Sequence, residues 1–172
     1  YKRQALANAG AQLGHHVTLV SGPTNLDIPI NVDYVPVQTA QEMFEAVSVH
    51  IAGTDAALFS AAVADYRPAS FAENKIKKSE DRVTLELIRN ADILGSARAE
   101  FSYEGVLVGF AAETENLEEN ARGKLQRKDC DLVVANDVSR AGIGFDSDHY
   151  EVLLVYPDRT DALPVETKDL LA

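Results

Sequence analysis

The sequence has 172 residues and a net charge of −11, with 46% hydrophobic residues, 25% charged residues and a single cysteine, Cys130. Such values describe a globular chain long enough to bury a substantial core, and the acidity argues against general attraction to nucleic acid or to an anionic membrane. No apolar run approaches membrane-spanning length, no signal-peptide pattern opens the chain, and a lone cysteine excludes an internal disulfide framework and fits a reducing cytoplasm. In chain order, the alanine-rich stretch Tyr1–Leu13 reads as a helix that Gly14 stops. His16–Val20 and Asp33–Val37 read as short strands. Thr39 with Glu42 forms a capping box, and Met43, Phe44 and Val47 give the helix it starts an apolar stripe turned toward the sheet. Asp55–Ser60 reads as a buried strand, and Val83–Ile88 alternates as a half-buried one. Asn90 is placed to N-cap a helix reaching about Glu100. Gly105–Phe110 is a nearly continuous apolar run, as expected of a strand covered on both faces. Asn116 with Glu119 caps a helix to Lys128, and Asp131–Ala135 is a further buried strand. A long polar loop spans Asn136–His149, and Glu151–Tyr156 and Ala162–Val165 form a closing strand pair around Pro157-Asp158-Arg159.

Strands alternating with helices predict an α/β protein with a Rossmann-like, doubly wound, mainly parallel sheet, whose closing pair could run antiparallel. No repeat, linker or low-complexity tract divides it, so residues 1–172 read as one domain. In such sheets ligands bind beyond the C-terminal strand ends, which directs attention to four stretches. The first is Ala61-Ala62-Val63-Ala64-Asp65-Tyr66-Arg67-Pro68, where small residues allow close approach to the backbone, Asp65 supplies a carboxylate and the residue before proline resists the helix. It runs on to Lys75, Lys77 and Lys78, which are either phosphate contacts or a solvated basic loop. The second is Asn90-Ala91-Asp92-Ile93-Leu94, either a helix N-terminus able to receive an anion or a routine cap. The third is Phe110 at a strand end, placed to stack on a base or to fill the core. The fourth is Asn136, leading the long loop. On the helix before Cys130, Leu117, Ala121, Lys124 and Lys128 share one face that turns from apolar to cationic. Its lysines are either ligand contacts or residues favoured by the helix dipole.

Several chemistries have no support. The sequence has no G-x-G-x-x-G fingerprint, no phosphate-binding P-loop and no G-x-S-x-G elbow. His15, His16, His50 and His149 match no metal-ligand spacing; His15 and His16 read as a surface turn and Cys130 as a small buried residue.

Taken together, Ala61–Tyr66, Lys75-Ile76-Lys77-Lys78, Gly109-Phe110-Ala111-Ala112-Glu113-Thr114, and Ala135-Asn136-Asp137-Val138 with Gly144-Phe145 resemble the phosphopantothenoylcysteine synthetase (phosphopantothenate–cysteine ligase) family of coenzyme A biosynthesis. The resemblance covers nearly the whole chain. It implies that phosphopantothenate and cysteine are joined using CTP with Mg²⁺ or Mn²⁺, through an acyl-cytidylate, with release of CMP and pyrophosphate. It also implies a homodimer, and in bacteria a decarboxylase domain in the same protein. By the same resemblance Ala61, Ala62 and Asp65 hold the cytidine or an associated cation, and Lys75, Lys124 and Lys128 contact the triphosphate. Ala91, Asp92, Ile93 and Leu94 offer backbone groups to the nucleotide, Phe110 packs against it, and Lys75 and Asn136 serve the reaction itself. The metal's protein ligands stay open.

Two departures stand out. The family opens with a strand and a Gly/Ser/Asn-rich loop that binds phosphopantothenate, and the sequence shows neither, so this chain is expected to bind CTP and could be catalytically incomplete. The family also often has proline where Ala91 stands. The competing readings are a non-catalytic nucleotide-binding or oligomerisation module of the same fold and a nicotinamide-dependent oxidoreductase, the latter opposed by the missing glycine fingerprint.

Overall fold

The computed structural model describes residues 2–77, 82–137 and 149–167. Its elements, in chain order, are α1 (Lys2–Gln12), β1 (Thr18–Ser21), β2 (Asp33–Pro36), α2 (Ala40–His50), β3 (Ala56–Phe59), β4 (Tyr66–Pro68), β5 (Leu87–Arg89), α3 (Ile93–Ala99), β6 (Val106–Glu113), α4 (Leu117–Lys128), β7 (Leu132–Asp137), β8 (His149–Val155) and β9 (Thr160–Thr167).

The helix boundaries follow local chemistry. α1 ends where Gly14 adopts φ +87°, the left-handed turn that glycine takes without a Cβ penalty. Thr39 caps α2 as expected, its hydroxyl accepting the Glu42 amide at 3.1 Å. The Glu42 carboxylate accepts from Gln38 N at 2.7 Å, one residue before the partner a standard capping box uses. The apolar stripe of α2 is only half-buried: Phe44 packs its ring 5.1 Å from Phe101, and Val47 lies against the core. α4 starts at the expected place, but Asn116 sits there in the left-handed region (φ 49°) and makes no side-chain cap bond.

The principal sheet runs in the order β3-β6-β7-β8-β9. β3, β6 and β7 are parallel, as the alternating pattern predicts, while β7-β8 and β8-β9 are antiparallel, so the closing pair reverses direction. β1 and β2 form a separate parallel pair. Leu107 and Val133 from the two central parallel strands and Val155 from β8 are fully buried, with Ala97 of α3 and Ala121 of α4 packed over them. A side chain at Gly109 would meet Leu94 at 3.2 Å and Cys130 at 3.4 Å, so glycine there lets α3 lie close on β6.

Two expected elements are corrected. The Asp55–Ser60 strand forms but is not buried: β3 lies at the end of the strand order, and Leu58 is 49% exposed. Val83–Ile88 does not form a half-buried strand; the strand is Leu87–Arg89, paired antiparallel with Tyr66–Pro68 in a separate ribbon. Alternation fails as a guide here because no layer covers either face: Val83 is 70% and Leu85 67% exposed. The Arg67-Pro68 break supplies the partner strand, since the restriction that forbids helix before proline also holds that residue extended.

Candidate functional site

The register places the expected residues along one edge. β3 ends at Phe59 opposite Gly109, so Ala61–Asp65 leaves the sheet beside Phe110, which lies opposite Val134. Asn136 lies two pairs further along, opposite Ala112. Asn136 belongs to β7 rather than to a loop, and only 2% of it is exposed. Val138, Gly144 and Phe145, with the rest of 138–148, lie outside the described residues.

Two lysines of α4 reach this edge. Lys124 donates to the Phe110 carbonyl at 2.5 Å and is partly buried. Burial pulls its pKa below the ordinary lysine value, with Cys130 and Glu113 acting in the opposite sense. Lys128 pairs with the Asp92 carboxylate, whose other oxygen accepts the Gly95 amide at 3.0 Å. Burial works to raise the Asp92 pKa, but the bonds from Lys128 and Gly95 outweigh it and hold the carboxyl below its usual value. Beneath them Cys130 is buried, and desolvation pushes its thiol up to about 11, which makes it an inert core group.

The segment Asn90–Leu94 differs from its expected role. The N-cap of α3 is Asp92, not Asn90, and its carboxylate occupies the helix N-terminus that was expected to receive an anion. Ile93 and Leu94 are buried, so any contact from them to a ligand runs through the backbone. Asn90 instead bonds sideways. Its amide nitrogen Nδ2 donates to the Ala64 carbonyl (2.7 Å), its Oδ1 accepts from Arg67 Nη1 (2.9 Å), and its backbone N–H donates to the Asp65 carbonyl (2.8 Å). Arg67 also donates to the Arg89 carbonyl at 3.0 Å. Periodicity gave no hint of these bonds, since they join residues more than twenty positions apart.

The structure thus brings together Asp92, Phe110, Lys124 and Lys128, with Ala61–Asp65 tied on through Asn90. Ala61, Ala62, Asp65 and Ala91 are exposed at this margin. Lys75 is exposed on the segment between β4 and β5, and no hydrogen bond or ion pair among the described residues ties it to the cluster. Lys78 lies outside the described residues. Among the described residues, no three His, Cys, Asp or Glu side chains gather into a metal cage. A row of spare cationic donors with an aromatic ring and exposed backbone suits a nucleotide polyphosphate, and a cation carried on phosphate oxygens needs few protein ligands.

Comparison with known proteins identifies the family. Residues 3–172 match the model of the DNA/pantothenate metabolism flavoprotein C-terminal domain. The coenzyme A biosynthesis bifunctional protein CoaBC of Vibrio parahaemolyticus is 47% identical over 170 residues, covering 98% of this chain and 43% of that protein. The chain therefore spans less than half the length of that relative. A crystal structure of the C-terminal domain of a CoaBC protein superposes with a TM-score of 0.81 at 36% identity, covering 99% of this chain and 76% of the other. A Cab2 mutant solved in complex with phosphopantothenate-cysteine shares the fold, with a TM-score of 0.64 at 18% identity over 82% of this chain and 50% of that one.

Proposed function

The chain belongs to the DNA/pantothenate metabolism flavoprotein C-terminal domain family, and from that membership we propose that it is a phosphopantothenate–cysteine ligase domain of coenzyme A biosynthesis that uses CTP. The observation that supports this reading most is the convergence of Phe110, Lys124, Lys128 and Asp92–Leu94 at the C-terminal edge of the parallel strands. That is where open α/β sheets bind ligands.

In this reading the phosphopantothenate carboxylate attacks the α-phosphorus of CTP and pyrophosphate leaves, giving an acyl-cytidylate. The cysteine amine then attacks the acyl carbon, loses a proton and displaces CMP. Mg²⁺ or Mn²⁺, brought in on the triphosphate, supplies charge neutralisation there. The protein's part is positioning and electrostatics. An ammonium group has three donors, and Lys124 commits one to Phe110 and Lys128 one to Asp92, which leaves donors for phosphate oxygens. Lys75 is assigned the role of a contact that comes over the leaving pyrophosphate from the exposed segment between β4 and β5. Ala61, Ala62 and Asp65 face the cytidine, Phe110 packs on it, and Asn136 stands at the reacting groups. Asp65, an exposed carboxylate, is the residue here that suits a second contact to the cation.

Residues 1–172 act as one ligase unit in this reading, alongside a decarboxylase domain as in the bifunctional relatives, in the cytoplasm and as a homodimer. The exposed apolar side chains of the β4–β5 segment, Phe71 (91% exposed) and Ile76 (67%) among them, suit such a contact between copies. No helix among the described residues is long and apolar enough to cross a membrane.

The test supplies phosphopantothenate and cysteine with CTP or ATP and Mg²⁺, and follows pyrophosphate release together with calorimetric titration of each nucleotide. The reading predicts that CTP binds markedly better than ATP and supports product formation. Nucleotide binding with no turnover under any condition favours the binding-module alternative, and equal affinity for the two nucleotides removes the cytidine assignment.

A further inference from the structure

We propose that Asn90, together with Arg67, is a positioning residue of the nucleotide site, latching Ala61–Asp65 to the turn that leads into α3. The proposal rests on the CTP reading above. Both segments were expected to face the nucleotide, yet they belong to different parts of the chain and meet only at one end of the short β4-β5 ribbon that they flank. Ala61–Asp65 has no regular secondary structure, and four of its five residues are exposed. The β4-β5 ladder beside it has only three residue pairs, Tyr66–Arg89 to Pro68–Leu87. A segment with so little burial needs specific bonds to hold one geometry.

Asn90 supplies them with a donor and an acceptor on one side chain. Nδ2 donates to the Ala64 carbonyl at 2.7 Å and Oδ1 accepts from Arg67 at 2.9 Å, while the backbone N–H holds the Asp65 carbonyl at 2.8 Å. Arg67 closes the ring by donating to the Arg89 carbonyl at 3.0 Å. These contacts involve Ala64 and Asp65 on one side and Arg89 and Asn90 on the other, and Asn90 is two residues from Asp92, the partner of Lys128. The latch therefore sets the distance between the cytidine-facing segment and the triphosphate-facing lysines. A carboxylate at position 90 would keep Arg67 but oppose the Ala64 carbonyl, and leucine would lose both partners at similar size.

The experiment measures CTP affinity by calorimetry and cytidine affinity by competition against CTP, for the wild type, Asn90→Leu, Asn90→Asp and Arg67→Ala, with thermal midpoints recorded in parallel. The expected result is that Asn90→Leu and Asn90→Asp weaken CTP and cytidine alike, by about tenfold. The ratio of the two affinities should hold, because the lysines are untouched. Arg67→Ala should follow the same pattern more weakly. A Thr39→Ala variant, destabilised at the α2 cap whose bond to Glu42 involves no latch residue, should leave both affinities unchanged. Asn90 variants within twofold of wild type for both ligands would overturn the latch, as would a loss confined to CTP. A parallel affinity loss in Thr39→Ala would overturn it too, by showing that general destabilisation suffices. Wild-type protein that binds neither ligand fails the CTP reading itself and takes the latch with it, whereas wild-type binding with silent Asn90 variants fails the latch alone.

Discussion

The two ends of α3 place cations in opposite circumstances. At its C-terminal end Arg98 donates to the carbonyls of Asp129 (3.3 Å), Tyr103 (2.5 Å) and Gly105 (3.0 Å) and to the Asp131 carboxylate (2.7 Å). The same carboxylate oxygen accepts the Leu107 amide at 2.7 Å, so the starts of β6 and β7 are tied together through one half-buried guanidinium. At its N-terminal end, among the described residues, Lys128 has one acceptor, Asp92, and Lys124 has one, Phe110. A guanidinium has five N–H donors and an ammonium three, so Arg98 is nearly saturated within the fold while each lysine keeps most of its capacity. A cation whose donors are nearly all taken up by carbonyls and a carboxylate of its own fold is a structural staple. One with donors in reserve at the C-terminal strand edge is, in the proposed reading, a site residue.

The largest effect that would sharpen this contrast is on stability. Arg98→Ala removes the staple and leaves the Tyr103 and Gly105 carbonyls without their donor, at about 1.5–3 kcal/mol for each bond to the charged group, while the lost pairing with the exposed Asp131 carboxylate adds little. Urea unfolding should show that loss, while the protein that stays folded keeps its CTP-over-cytidine preference. The reverse pattern is expected at the other end. Lys124→Ala and Lys128→Ala should weaken CTP by about ten- to a hundred-and-fifty-fold, equivalent to roughly 1.5–3 kcal/mol for each charge-assisted contact, with stability changed by under about 1 kcal/mol.

A pH titration separates the two lysines. Burial lowers the Lys124 pKa, so in the folded protein it gives up its proton at a lower pH than in the unfolded chain. As pH rises through the window just below the ordinary lysine value, the unfolded chain holds more protons and folded stability rises slightly. CTP affinity should fall across the same window, because only the ammonium form meets phosphate. Lys124→Arg should flatten both trends, since a guanidinium keeps its charge; an unchanged slope would assign the titration to another group. The smallest effects lie at the starts of α2 and α4. Thr39→Ala should cost about 1 kcal/mol through the lost Glu42 bond. Asn116→Gly should shift stability by less than about 0.5 kcal/mol, because Asn116 makes no cap bond and its φ of 49° suits glycine.

These cases show where the sequence speaks. Strands β3, β6, β7, β8 and β9 were legible because apolar runs and turn residues bound them, and the shared face of Lys124 and Lys128 follows from helical spacing alone. Asn116 shows that a cap residue marks a boundary without revealing whether its side chain makes the bond. Val83–Ile88 shows that alternation cannot tell a strand lying on a core from one with no layer over it. Asn90 was legible as an element boundary but not as a latch, since its partners Ala64 and Arg67 lie far away in the chain. Asp92 looked like part of an anion cradle, whereas its own carboxylate fills that place and recruits Lys128.

The most direct test of the site is whether lysines from two separate regions, Lys75 on the β4–β5 segment and Lys124 and Lys128 on α4, meet one triphosphate. The measurement is the ratio of CTP to cytidine affinity at fixed salt for Lys75→Ala, Lys78→Ala, Lys124→Ala and Lys128→Ala. We expect the wild-type preference for CTP to shrink in the Lys75, Lys124 and Lys128 variants, with Lys78→Ala affected less. Survival of the full preference in all three would contradict the assignment of these lysines to the triphosphate.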